Sequence, residues 1–160
     1  MKQIPLTLGK FTIVDDEDYR RFSQHKWYTF KNRNTYYAVR HVWQKGGKTK
    51  SILMHREILG LKAGDSRKSD HRDGNGLNNL RENLRICTHI ENSRNRHAVR
   101  GTSKYKGVHR ATKRGKKWQV GIRYNNKYIH LGSFTDEVEA AKVYDIKAKE
   151  LFGEFAYTNF

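Results

Sequence analysis

The sequence predicts an α+β chain: a β-rich amino-terminal region, a middle segment in the order strand, long loop, strand, helix, and a carboxy-terminal three-stranded antiparallel sheet packed on one helix. Three observations predict it. Apolar and β-branched residues alternate in short runs, Gly, Asn and Asp clusters separate those runs, and one long stretch near the end, TDEVEAAKVYDIKAKELFG, repeats apolar residues at helical spacing.

Residues 1–60 form a β-rich amino-terminal region. KFTIV is an apolar strand, and the acidic DDEDYRRFSQ that follows suits one or two helical turns. WYTFKNRNTYYAVRHVW carries aromatic and β-branched residues on both sides of KNRNT, the pattern of a hairpin. GGKTKSILMHREILG then supplies a turn, a strand and a short helix ending near Gly60.

Residues 61–100 open on the polar loop KAGDSRKS. After Asp70 and His71, RDGNGLNN has the composition of a loop or tight turn, and Asn75, Asn78 and Asn79 read as turn formers outside any site. ENLRIC supplies a short strand with Leu84 and Ile86 on one face. THIENSRNRHA reads as a helix, with Thr88 as N-cap and Glu91 three residues on, the capping-box spacing.

Residues 101–160 read as an independent module. YKGVHRA, KKWQVGIRYN and KYIHLGSF are three strands joined by the turns TKRG and NN. In the second, Trp118, Val120, Ile122 and Tyr124 alternate with Lys117, Gln119, Gly121 and Arg123, so one face is apolar and the other polar and basic. The helix that follows takes Thr135 as N-cap and Gly153 as its stop, and Ala141, Tyr144, Ala148 and Leu151 recur along one side. A sheet backed by that helix leaves its basic face open to a groove.

Lys and Arg number 33 against 16 Asp and Glu, a net charge of +17, and the excess runs through all three segments. Such a balance points to a polyanionic partner, above all nucleic acid. The single cysteine, Cys87, excludes an internal disulfide and a cysteine-rich zinc site. No apolar run has the length of a membrane span and the first residues lack a signal-peptide core, so the expectation is a soluble intracellular protein.

The middle segment carries the chemistry. Phosphodiester cleavage needs a base to activate water and an electrophile for the charge on the leaving oxygen. His71, beside a loop, suits the base, while Asp70 and an amide oxygen from the later helix suit a hard cation, Mg²⁺ or Mn²⁺. DH at 70–71, DGNGLNN at 73–79, ENLR at 82–85 and EN at 91–92, preceded by MHREIL at 54–59, resemble the HNH endonucleases of the phage and intron homing type. That resemblance implies a ββα-metal active site with His71 as general base, Asp70 and Asn92 as metal ligands, and Asn83 as the amide that orients the histidine. It further implies 5′-phosphate and 3′-hydroxyl products. His55, in the preceding segment, is placed to approach the active site, although a lone histidine is more often a packed or surface residue.

The last segment, through YKGVHR, KWQVGIR, IHLGSF, EAAKVYD and AYTNF, resembles the plant ethylene-response-factor type of DNA-binding domain. The resemblance implies DNA contacts from Lys106, His109, Arg110, Lys117, Arg123, Tyr128 and His130. Tyr128 and His130 stand where plant members commonly carry arginine and tryptophan, so target preference does not transfer.

The combined expectation is a site-specific endonuclease acting on double-stranded DNA, as a monomer or transient dimer, with 61–100 cutting and 101–160 placing it. The rivals are a DNA-binding regulator that keeps the nuclease scaffold without catalysis and, more distantly, an RNA-binding structural protein.

Overall fold

A computed structural model describes residues 1–32, 35–95, 101–111 and 117–160. Its contacts divide the chain into two units, 1–92 and 93–160.

In the first unit, β1 (Lys2–Pro5) pairs antiparallel with β2 (Phe11–Val14). α1 (Asp16–Phe22) follows, its first turn acidic and its last turn basic as the helix dipole favours. β3 (Tyr28–Asn32), β4 (Thr35–Trp43) and β5 (Thr49–Leu53) make a three-stranded antiparallel sheet with β4 in the middle. α2 (Met54–Ile58) leaves β5 directly. Next come β6 (Lys68–His71), a 3-10 turn at Arg81–Asn83, and β7 (Leu84–Cys87), which pairs antiparallel with β6. α3 (His89–Arg94) comes next, with residues 89–92 in this unit and Ser93 and Arg94 in the second.

The core of this unit gathers Ile4, Leu6, Val14, Phe22, Trp27, Ala38, Met54, Ile58 and Leu84. Leu84 belongs to the segment that the sequence sets apart as 61–100, yet it packs with side chains from the first sixty residues. The two segments share one hydrophobic interior. Trp27 satisfies its indole N–H on the Phe22 carbonyl at 2.8 Å, so its burial leaves no unpaired donor.

The second unit contains β8 (Val108–Arg110), β9 (Trp118–Tyr124), β10 (Lys127–Phe134) and α4 (Glu137–Phe152). β9 is central in an antiparallel sheet of three, as expected. Asn125 and Asn126 both take positive φ, 48° and 63°, the two-residue turn that matches strand twist. The expected TKRG turn lies outside the described residues. α4 buries Ala140, Ala141, Tyr144 and Ala148 against Val108, Val120 and Ile122. Its N-cap is Asp136, whose carboxylate accepts from the Glu139 N–H at 2.7 Å, one residue after the expected Thr135. The carboxylate outcompetes the hydroxyl as an acceptor at the positive end of the helix dipole.

The chain end is tied back by a buried carboxylate. Asp145 on α4 accepts from the Asn159 N–H and Nδ2, and the Asn159 amide oxygen accepts from the Lys106 N–H at 2.8 Å. Among the described residues no helix is long and apolar enough to cross a membrane.

Candidate active site and nucleic-acid interface

Asp70 and His71 are the last two residues of β6. The register sets Asp70 opposite Arg85 and His71 opposite Leu84. Opposed residues of an antiparallel pair share a face, so Arg85 lies beside Asp70, and its Nη2 and Nε donate to the Asp70 Oδ2 at 2.6 and 2.9 Å. Both residues are buried, at 6% and 8% exposure, which makes this an ion pair inside the protein rather than a screened surface contact.

The loop after His71 is organised around Asp73. Its Oδ1 accepts from the Asn75 N–H and from Asn83 Nδ2, its Oδ2 accepts from Asn78 Nδ2, and its own N–H donates to the Asn83 Oδ1 at 3.1 Å. Asn83 also donates to the Asn78 carbonyl at 2.8 Å. Its amide therefore closes the loop. The expected bond from Asn83 to the histidine is not the one formed: the amide oxygen 3.1 Å from His71 Nε2 belongs to Asn79.

Asn79 was expected to form a turn outside the site, and it is instead fully buried with its amide against His71. The reason is a strand-like docking. The Ile13 N–H donates to the Leu77 carbonyl at 2.9 Å and the Asn79 N–H to the Ile13 carbonyl at 2.8 Å, so the loop runs along β2. Asn75 and Asn78 do act within the turn, as their bonds to Asp73 show.

Among the described residues three rings meet at the site. His55, from α2, lies edge-on to His71 with centroids 4.9 Å apart, and Tyr37, from β4, lies 5.2 Å from His55 and 5.8 Å from His71. Burial pushes His55 down to about 3, with the His71 and Arg56 charges adding to the shift, and the His55 Nδ1 is buried without a partner. Burial also lowers His71, opposed by the Asn79 bond and by the Asp73 and Asp70 charges. Tyr37 is raised by burial and by Asp70. The His71 imidazole is thus neutral near pH 7, as a proton acceptor must be. Sequence reasoning passed over Tyr37 and Arg85 and set His55 aside. The available signal was a histidine in the short helical segment MHREIL, directly before the motif.

Asn92 stands on α3, half-buried, in a helix whose start is fixed as expected: the Thr88 N–H donates to Glu91 Oε2 at 2.7 Å and the Glu91 N–H to Thr88 Oγ1 at 3.2 Å. Among the described residues no three His, Cys, Asp or Glu gather as a metal site. The two expected ligands, the Asp70 carboxylate and the Asn92 amide, are oxygen donors, and oxygen donors suit a hard divalent cation that keeps several waters.

In the second unit the register sorts the expected contact residues. His109 faces Gln119, Gly121 faces His130, and Arg123 faces Tyr128, so these side chains share the face opposite Val120 and Ile122. Arg123, Tyr128 and His130 are exposed there, and His109 is half-buried. Lys117 precedes β9 and is exposed. Arg110 pairs with Trp118 and its guanidinium lies 5.7 Å from that ring, which places it on the helix side of the sheet rather than on the open face. Lys106 stands off the sheet, its Nζ donating to the Arg94 carbonyl at 2.5 Å, and burial lowers it to about 8. It lines a cavity of about 290 Å³ together with Arg94, Gly107, Gly121, Arg123 and Tyr144. The Tyr128 side chain lies across Gly121 on the open face, where a methyl group would make that exposed ring swing aside.

Over 158 residues the chain is 34% identical to an uncharacterized HNH endonuclease of Acanthamoeba polyphaga mimivirus, a match that covers 94% of this chain and 75% of that protein. Over 63 residues, 38% of the chain, it is 44% identical to an ethylene-responsive transcription factor and 46% identical to an AP2-like ethylene-responsive transcription factor, both of Arabidopsis thaliana. It spans 14% and 11% of those two proteins. No family model matches the chain.

Proposed function

Because the chain belongs to the HNH endonuclease family, we propose that it is a metal-dependent DNA endonuclease in which His71 is the general base and Asp70 and Asn92 are the metal ligands. The observation that supports this most is the junction at the end of β6. A buried, neutral imidazole adjoins a carboxylate, on a strand paired with β7 and followed by α3, which is the ββα order the motif implies. A bound Mg²⁺ or Mn²⁺ would stabilise the charge on the departing 3′-oxygen. His71 takes the proton from the attacking water, leaving a 5′-phosphate. Arg85 fixes the Asp70 carboxylate, and Asn83 holds the loop that follows His71.

The open sheet face of the second unit is the proposed DNA reader. Arg123, Tyr128, His130, His109 and Lys117 would contact DNA from it, Lys106 and Arg94 line the adjoining basic cavity, and Arg110, on the helix side of edge strand β8, would add at most a phosphate contact around that edge. The AP2-like relatives support that role, and the net charge of +17 supplies the sequence-independent part of the affinity.

One observation favours a second reading. Asp70 is engaged by Arg85, so a cation there shares its carboxylate with a guanidinium. A binding protein that keeps the scaffold without catalysis has no such competition. Plasmid cleavage in Mg²⁺ or Mn²⁺ decides between them: the nuclease reading expects cutting that EDTA abolishes and that His71→Ala reduces by about 10²–10⁴-fold. Tight DNA binding by the wild type with no metal-dependent cutting would establish the other.

A further inference from the structure

We infer that Thr12 and Asn79 form a hydrogen-bond relay that fixes the tautomer of His71 and makes Nδ1 its basic nitrogen.

The relay can be followed proton by proton from a group whose role is fixed. The Leu77 backbone carbonyl only accepts. Thr12 Oγ1 lies 2.8 Å from it, so the single hydroxyl proton of Thr12 points there. The Thr12 oxygen can then only accept from the Asn79 amide atom 2.7 Å away, and that atom must be the nitrogen, Nδ2. The second Nδ2 proton faces the Met54 sulfur at 3.7 Å. The Asn79 oxygen is therefore the atom turned to His71, and at 3.1 Å from Nε2 it requires that nitrogen to carry hydrogen. In the neutral ring the lone pair is left on Nδ1.

Thr12 and Asn79 are both fully buried, so no water competes to turn the amide around. Reversing the amide would set the Asn79 oxygen against the Thr12 oxygen with no proton between them, a buried unsatisfied contact. Asn79 does not reach the reacting atoms by this geometry; it is a positioning residue, and Thr12 positions it in turn.

The kinetic consequence rests on the nuclease reading, but the tautomer does not. Long-range ¹H–¹⁵N correlation of the full chain, labelled in histidine and recorded near pH 8, assigns the protonated nitrogen of His71 directly. Nε2–H is expected, and a His71 ring with hydrogen on Nδ1 overturns the relay. Thr12→Val keeps the side-chain shape and removes the hydroxyl. It is expected to release the amide, to populate the Nδ1–H form, and to lower kcat about tenfold or more while KM for DNA stays unchanged. Thr12→Ser restores both readouts. A folded Thr12→Val protein with an unaltered tautomer and unaltered kcat overturns the proposal. Wild type that shows Nε2–H but cuts no DNA with Mg²⁺ or Mn²⁺ refutes the nuclease reading and supports the relay.

Discussion

Arg85 and His55 carry costs that only their surroundings explain. Arg85 is buried because Asp70 is, and removing it leaves a carboxylate inside the protein without its guanidinium. Arg85→Met is expected to destabilise the first unit by about 3–5 kcal/mol in urea unfolding, and the Asp70→Asn/Arg85→Met double variant to regain part of that. His55 carries a pH signature. Folding depresses its pKa from the usual 6.5 to about 3, so between those values the unfolded chain binds a proton that the folded one refuses. Its contribution is complete above pH 6.5 and is lost as pH falls toward 3, at up to about 1.4 kcal/mol per pH unit. The groups facing it are Tyr37 and His71, with Arg56 beside it, and the lowered His71 acts in the same direction. Thermal melting at pH 7.5 and pH 4.5 tests this: wild type should lose stability on acidification, and His55→Leu should lose distinctly less.

At the scale of elements, the loop between β6 and β7 is moulded on its neighbours. A methyl on Gly76 would run into the Tyr36 carbonyl and lie 2.6 Å from the Tyr37 ring, while the Gly76 N–H donates to Thr35 Oγ1 at 2.9 Å. Backbone cannot yield as a flexible side chain does, so Gly76→Ala should cost about 1–3 kcal/mol and impair cleavage more than DNA binding, checked by melting and by filter binding beside a nicking assay. The second unit has a comparable tie in Asn159. Asn159→Ala removes one donor from the buried Asp145 and should cost about 1–3 kcal/mol in the unfolding of that unit.

Much of this was legible beforehand. The capping box of Thr88 and Glu91, the Asn125–Asn126 turn and the alternation along β9 are local signals, each complete within a few residues, and each appears as read. β1 was not read, because KQIP offers one β-branched residue beside a proline, whereas β2, of equal length, reads FTIV. The exchange of roles between Asn79 and Asn83 was illegible for a different reason. Two asparagines four residues apart look alike until β2, more than sixty residues earlier, fixes which one turns inward.

For the whole molecule the dominant quantity is charge. Binding to duplex DNA should weaken linearly in log affinity against log salt, and Arg123→Ala should reduce the slope by about 0.9 if that side chain meets a phosphate. If Arg123 instead reads a base, the slope holds and preference among targets relaxes; titrations at several salt concentrations separate the two. Lys106, lowered to about 8 by burial, loses charge as pH rises through that value, so DNA affinity should fall between pH 7 and pH 9 more for wild type than for Lys106→Gln.

Because β2 supplies Thr12 while the motif supplies Asn79, the stretch from Asp70 to Asn92 is not a portable cassette. Grafted onto another scaffold it would keep its letters and lose the hydroxyl that fixes its amide. Shuffling at residue 60 would therefore yield chimaeras that hold the histidine in an undefined protonation geometry, whereas a crossover beyond Asn92 would carry the complete proton-handling apparatus with it.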